Sequence, residues 1–536
     1  MTHVEVPRCG VQRAGAKPHP KGRGARRGAE SNLAAMLSAD PHVQAAPSPE
    51  VLRFLGGSLG VHIAGETRAA AAGGAFPVLD PSSGETLAEV ALAGSGDVDD
   101  AVAAARAAQP GWAAMAPAER ASLLWSLGDA LLRNAEELAQ LDTLDNGKPI
   151  GESRALDVPL SAGIFHFYAG LVQTIAGRVL PTSVGPMHAY SRREPVGVVA
   201  AIVPWNFPLL MCAYKLGPAL AAGNSVVLKP AEQTPLSALR LAQLVAECGF
   251  PPGVVNVLPG FGETTGAPLA AHPGVDKVTF TGSTEVGRRI GAQSGERLMR
   301  ATLELGGTCP NVIFADADLD AAADGAYGGA FFNQGQCCVG GSRLLVEEPV
   351  FDEFVTRLAA RASAVRLGRG LEPATEMGPL VSEEQRDRVA GAVARATGAG
   401  AEALAGGAPC QVPESPGGYF FSPTVLVGAA RDSEIMREET FGPVVCATPF
   451  RDEGEAIELA NDTPYGLAAG VWTTRLDRAH RMAAAIDAGT VWVNTYGMFD
   501  PAASYGGRHL SGHGRELGVE SLDGYLQEKT VWVSLA

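Results

Sequence analysis

VGVVAAIVPWNFPLLMCAYKLGPALAAGNSVVLK, residues 196–229, is the stretch whose reading decides the fold. Its first 19 residues, Val196 to Tyr214, carry no formal charge, enough for a helix to cross a bilayer core of about 30 Å. Pro204, Asn206 and Pro208 interrupt that run, and its two halves differ in kind. Val196–Val203 is β-branched and Ala-rich, the composition of a parallel strand buried on both faces, whereas Leu209–Ala222 reads as a helix. Gly223-Asn224 then turns the chain into a second short apolar run, Ser225–Leu228. The stretch is therefore a strand–loop–helix–strand unit, and no membrane span is expected.

The same alternation continues outward. Pro235–Cys248 reads as a helix, Val254–Leu258 as a strand closed by Pro259-Gly260, and Thr264–Ala271 as a short helix. Lys277–Thr281 follows as a strand closed by Gly282, and Thr284–Ser294 as a helix. Strands alternating with helices indicate βαβ units and a mainly parallel sheet covered on both faces. Upstream the pattern is helical: Asp97–Gln109, Pro117–Asn134 and Ala135–Asp145. Beyond Leu303 a second α/β segment is expected, with strands at Asn311–Phe314, Arg343–Val346 and Gly489–Asn494 and helices at Leu319–Gly328 and Phe351–Leu367. A strand-like run, Thr530–Leu535, closes the chain.

A length of 536 residues fits two to four domains, given about 100–200 residues per domain. A net charge of −16 argues against nucleic acid as principal partner, because phosphate binding needs clustered cations. The first 30 residues invert that charge, with seven Lys or Arg against Glu5 and Glu30, a net +5 that leaves −21 on the remainder. This Gly- and Pro-rich head has no apolar run and is not a secretory signal. Its composition predicts either a disordered tail or a start placed upstream of a later one at Met36. Eight cysteines are too few for a disulfide scaffold and include no CxxC pair. No metal site is expected, and the compartment is expected to be reducing, hence cytoplasmic.

Ligands of open parallel sheets bind at the carboxyl ends of strands, near helix N-termini whose free N–H groups favour phosphate. Several loops here qualify, and each taken singly also fits a purely structural role. Gly282-Ser283-Thr284-Glu285-Val286-Gly287 follows a strand and opens a helix. It is neither GxGxxG nor a Walker loop, and strand–Gly–helix turns often exist only for packing. Lys229-Pro230-Ala231-Glu232 ends another strand; as a ligand for a ribose diol, Glu232 would repel a 2′-phosphate and favour NAD over NADP. In Phe331-Phe332-Asn333-Gln334-Gly335-Gln336-Cys337-Cys338, two adjacent cysteines sit among amides and Gly, and no His between His272 and His480 is available to activate them. Leu303-Glu304-Leu305-Gly306-Gly307 sets one carboxylate in apolar sequence, where desolvation would raise its pKa towards that of a neutral-pH base. Asn206 offers a side-chain amide to an oxyanion, or simply a cap for the following helix.

Together these groups fit one chemistry. A thiolate adds to an aldehyde, an amide and a backbone N–H hold the oxyanion, hydride leaves to nicotinamide, and carboxylate-activated water hydrolyses the thioester. At this level of detail the sequence resembles the NAD(P)-dependent aldehyde dehydrogenase superfamily, from about Val78 to the C-terminus, about 85% of the chain. The resemblance implies that Pro204-Trp205-Asn206-Phe207-Pro208 is the oxyanion loop and that Cys338, rather than Cys337, is the nucleophile. It makes Glu304 the general base, with Lys215 and Glu516 as candidates for a proton path from it. Cofactor contacts implied are Trp205, Lys229, Glu232, Gly260, Gly282, Ser283, Glu439 and Phe441. Phe207, Leu210, Met211, Tyr214, Phe332, Cys337, Phe499 and Tyr505 would line the aldehyde tunnel. Such an apolar, aromatic wall suits medium-chain or aromatic aldehydes, or a quaternary ammonium aldehyde held by cation–π contact.

The implied fold is a Rossmann-like cofactor domain (49–174 and 195–306), an α/β catalytic domain (307–525) and a small β oligomerisation arm (175–194 and 526–536). Residues 1–48 form the basic tail. An exposed apolar terminal strand needs a partner, so a homodimer or homotetramer is expected. Thr308 and Cys309 stand where the family commonly has Lys and a small residue. Ser504-Tyr505-Gly506-Gly507-Arg508-His509 departs from its usual Pro-aromatic-Gly-Gly-aromatic-Lys. Two other functions share parts of this pattern. A CoA-acylating relative would use the same thioester but typically lacks the carboxylate that Glu304 supplies. A non-catalytic relative would yield no NADH from any aldehyde.

Overall fold

The computed structural model describes residues 46–536. The basic head and the alternative start at Met36 therefore lie outside the described residues, save for positions 46–48.

Two large sheets organise the chain. The first runs, edge to edge, Gly512–His513, Arg300–Leu305, Lys277–Gly282, Val198–Ile202, Ser225–Lys229, Val255–Val257, Val61–Ile63 and Glu66–Arg68. Its five central strands are parallel, in registers such as Thr281 opposite Glu304 and Val199 opposite Val226. Val198–Ile202 and Ser225–Lys229 are buried at every residue, as strands covered on both faces must be. The helices Pro208–Ala221 and Leu236–Glu247 connect these strands and join Pro117–Arg133, Ala135–Asn146 and Val158–Leu171 in the largest apolar cluster. The stretch Ile150–Thr174 is long and apolar enough to cross a membrane by composition; half of it is buried within the protein.

The second sheet runs Glu402–Ala405, Thr424–Val427, Val444–Phe450, Arg343–Glu347, Pro310–Ile313, Ala468–Trp472 and Thr490–Val493. All its pairings are parallel except the edge strand Glu402–Ala405. A third sheet of three antiparallel strands pairs Leu526–Ser534 with Met187–Pro195, and Met187–Pro195 with Val179–Leu180. The terminal strand is four residues longer at its start than the expected Thr530–Leu535. Trp532 and Val533 on it, and Leu535 just beyond its end, are exposed.

Several expectations need correction. Before Asp97, where no element is expected, Val61–Ile63, Glu66–Arg68, Ala75–Leu79 and Thr86–Ala91 are strands. They are short, and although Ala75–Leu79 alternates between exposed and buried residues, its sequence AFPVL does not alternate apolar with polar, so neither length nor composition marked them. The helix expected at Asp97–Gln109 runs on through Pro110 to Ala114. Its extra turn is anchored by buried Trp112, whose indole N–H donates to the Leu220 carbonyl at 3.2 Å. The helix expected to reach Leu367 ends at Ser363, because Leu367 is drawn into a bridge with Met377. Gly512–His513, inside the span 307–525 expected to form the second domain, returns to the first sheet and pairs with Leu303 and Glu304.

Candidate active site

The carboxyl ends of the parallel strands in the first sheet form a row: Leu305, Gly282, Ile202, Lys229 and Val257. At about 4.8 Å between strands, that row spans about 19 Å. A cleft of about 1850 Å³ opens at the Leu305 end and is lined by residues of both large sheets and their loops.

One wall comes from the octet found in the sequence. The helix Leu319–Phe331 is capped by Asp318, whose carboxylate accepts from the Asp320 and Ala321 amides at 3.2 Å, and delivers the chain into Phe332–Cys338. Asn333, Gln334 and Gly335 are all left-handed, with φ of 49°, 55° and 67°. A Cβ on Gly335 would lie 2.1 Å from the Gly442 carbonyl oxygen, so this position admits only glycine. Side chains hold the coil together: Asn333 Nδ2 donates to the Asn206 carbonyl at 2.8 Å and to the Gln336 carbonyl at 3.1 Å. The Asn333 amide donates to Glu152 at 3.1 Å, and Gln334 Nε2 to the Pro379 carbonyl at 2.9 Å.

The coil presents Cys338 to the cleft, where Sγ lies 3.1 Å from the Tyr505 hydroxyl. Hydrogen bonds from the Cys337 thiol and then from Tyr505 pull the Cys338 thiol down to about 7 against the opposing effect of burial. The same contact with Cys338, together with burial, pushes Cys337 well up. Of the two adjacent thiols, Cys338 is the one that meets the Tyr505 hydroxyl, a contact that favours its thiolate form.

Glu304, on the strand Arg300–Leu305, is 3% exposed and also lines the cleft. Its Oε2 accepts from the Gly507 amide at 3.3 Å, while Oε1 has no protein partner. Burial, then the nearby Glu516, raises its pKa well above the carboxylate range. Behind it, Lys215 and Glu516 pair at 2.6 Å with both side chains buried, and Thr279 donates to the same Glu516 oxygen at 3.3 Å. Asn206 is buried, and its amide is not wholly free as expected: Nδ2 already donates to the Gln336 carbonyl at 3.0 Å, leaving one N–H.

On the other side, Ser283 caps the helix Thr284–Glu296 by accepting from the Val286 amide at 3.3 Å, and Gly282 and Ser283 line the cleft. Glu439 reaches across from the second sheet, its Oε1 accepting from the Gly307 amide at 3.1 Å. Burial raises its carboxyl to about 8. Gly306 lies so close that a Cβ there would fall 1.8 Å from Glu439 Oε2. Phe441, at φ 55°, meets Trp205 edge to face at 5.1 Å. Lys229, Glu232 and Gly260 do not line this cleft; they sit farther along the row, with Lys229 Nζ 2.9 Å from Glu232.

All eight residues expected in the aldehyde tunnel line the cleft. Phe207 stacks on Phe332 at 6.1 Å, and Tyr505 stands between Phe499 at 5.6 Å and Tyr214 at 6.3 Å. The expected wall was apolar throughout, but the cleft also carries charged groups, Arg154, Asp320, Asp324, Arg361 and Glu376. Glu152, Asn146 and Gly507 were missed. Asn146 Nδ2 donates to the Trp205 carbonyl at 2.9 Å and the Asn206 carbonyl at 3.3 Å. The turn-like Asn146-Gly147 was a signal for it, whereas nothing local marks Glu152. The departures near 308 and 508 are accommodated locally. Thr308 pairs with Thr463 at 2.7 Å, and Arg508 and His509 both bond Asp487, at 2.7 and 2.5 Å. No metal-ligating cluster occurs among the described residues.

Comparison with known proteins agrees with this geometry. The profile of the Aldehyde dehydrogenase family matches residues 68–531. The mitochondrial aldehyde dehydrogenase of Homo sapiens is 48% identical over 464 residues, covering 86% of this chain and 89% of that protein. Among solved structures, the NAD+ complex of a Bacillus cereus aldehyde dehydrogenase superposes with a TM-score of 0.90 at 45% identity, covering 92% of this chain and 99% of that one. An indole-3-acetaldehyde dehydrogenase of P. syringae, a mutant in complex with NAD+ and IAA, superposes at 0.88 with 44% identity, covering 91% and 98%.

Proposed function

Since the chain belongs to the aldehyde dehydrogenase family, we propose that it oxidises an apolar or aromatic aldehyde to the carboxylic acid through a thioester on Cys338. The Cys338 thiolate adds to the aldehyde carbon, and the carbonyl electron pair moves onto oxygen. The remaining N–H of Asn206 Nδ2 donates to that oxyanion; one such donor contributes about 10²–10³ in rate. NAD+, when bound, takes the hydride released as the thiohemiacetal becomes a thioester. Glu304 Oε1, buried and without a protein partner, then accepts a proton from water, which attacks the thioester and expels the Cys338 thiolate. Glu516, paired with Lys215, is the next acceptor along the path out from Glu304.

The cofactor fits what the residues offer. Gly282 and Ser283 start a capped helix facing the cleft, suited to a pyrophosphate. Glu439 reaches the cleft where only a glycine backbone leaves it room. Trp205 and Phe441 supply aromatic faces, and Gly260, Lys229 and Glu232 continue the row in the direction an extended dinucleotide would take. Glu232 is a carboxylate for a ribose diol, which supports NAD over NADP. The seven described cysteines are free, which suits a reducing, cytoplasmic setting. The exposed edge of the strand Leu526–Ser534 supports assembly with further copies of the chain.

The convergence of Cys338 and buried Glu304 on one cleft carries this proposal. Its test is NADH formation across a panel of aliphatic, aromatic and quaternary ammonium aldehydes, wild type beside Cys338→Ser. Loss of activity in the variant is expected; equal rates would sink the mechanism.

A further inference from the structure

The Tyr505 hydroxyl is 3.1 Å from Cys338 Sγ, and among the described residues it has no other protein partner. Three constraints aim it there. The Tyr505 amide donates to the Glu516 carbonyl at 2.8 Å, and the Glu516 amide returns a bond to the Tyr505 carbonyl at 2.7 Å, so the backbone is clamped in both directions. The ring is wedged between Phe499 and Tyr214. Two residues on, the Gly507 amide holds Glu304 Oε2, so one short segment touches both the nucleophile and the base. A phenylalanine would fill the same aromatic slot. What the tyrosine adds is a single O–H, delivered to the sulfur that reacts.

We propose that Tyr505, beside the Cys337 thiol, donates a hydrogen bond that holds Cys338 as an oriented thiolate in the resting enzyme, and so helps to set the pH at which the nucleophile becomes reactive. The proposal rests on Cys338 being that nucleophile. Burial, followed by the charge of Cys338, pushes the Tyr505 phenol well up, so it keeps its proton and acts as donor rather than acceptor. As Sγ bonds to the aldehyde carbon, negative charge moves from sulfur to the carbonyl oxygen and the O–H···S contact weakens. The proton stays on the phenol throughout, and no group other than the thiolate and the aldehyde changes bonding in this step. A donor to the thiolate both raises its population at neutral pH and tempers its intrinsic nucleophilicity, so removing the hydroxyl moves the pH profile more than the plateau rate.

The experiment is the pH dependence of alkylation by iodoacetamide, without cofactor, with the modified thiol assigned to Cys338 rather than Cys337 by peptide fragmentation. In Tyr505→Phe the midpoint moves up by roughly one pH unit relative to wild type, the scale expected from losing one bond to a charged group. The acid limb of kcat/KM moves the same way, with the melting temperature little changed because the ring stays in place. Coincident alkylation profiles overturn the proposal, as does a uniform rate loss with an unmoved midpoint, which indicates packing alone. Alkylation reads the thiol directly. If Cys338→Ser retained turnover, the nucleophile assignment would fail separately, while the titration would still report whether Tyr505 bonds Cys338.

Discussion

Lys215 and Glu516 pair at 2.6 Å with both side chains buried, and Glu516 also faces the cleft that holds Glu304. Breaking such a pair leaves one charge buried and uncompensated. Lys215→Met is expected to lower stability by about 3–5 kcal/mol in urea unfolding. The double variant Lys215→Met/Glu516→Leu is expected to recover much of that loss without recovering turnover. Full activity in the stable double variant would remove the pair from the proton path.

Glu304→Gln keeps the shape and the Gly507 contact but cannot accept a proton. The expected result is a burst of NADH near one per site followed by a steady rate lower by about 10²-fold or more. In wild type the burial that raises the Glu304 carboxyl keeps it protonated beyond the usual carboxylate range, so deacylation speeds up as pH rises and the base is freed. Rapid-mixing absorbance at several pH values separates the two phases. A variant without a burst would place Glu304 before the thioester.

Asn333→Ala removes the two bonds that tie the left-handed coil to the Asn206 and Gln336 carbonyls. It also puts alanine at φ 49°. A stability loss of about 2 kcal/mol is expected, with a drop in kcat exceeding the rise in KM. Steady-state kinetics and urea unfolding check both numbers on one preparation.

Trp532→Glu puts a charge on the exposed edge strand Leu526–Ser534. Sedimentation velocity is expected to show a smaller assembly than wild type, with far-UV circular dichroism unchanged. Identical sedimentation of the two proteins would mean that the arm is not the contact.

The legible parts of the fold were those where local chemistry and tertiary role coincide. Val198–Ile202 is buried on both faces and reads as a continuous apolar run, and Gly282-Ser283 both ends a strand and caps a helix. The strands at Ala75–Leu79 and Thr424–Val427 were not picked out, because four or five residues whose sequence does not alternate apolar with polar carry little signal. At the site, Cys338 and Glu304 stood out because a thiol pair and a lone acid are chemically odd in their settings. Glu152 and Gly507 did not, since their roles depend on chain segments 181 and 203 residues away in sequence. The Asn206 bond to Gln336 was invisible for the same reason.

The return of Gly512–His513 to the edge strand that bears Glu304 has a temporal meaning. Tyr505, Gly507 and Glu516, which touch the nucleophile, the base and Lys215, all lie in the last tenth of the sequence. A chain still emerging from the ribosome has made every strand of the second sheet, and all of the first but Gly512–His513, before it has a finished reaction centre. A chain cut short before residue 505 would carry its thiol without the Tyr505 hydroxyl and its carboxylate without the Gly507 amide.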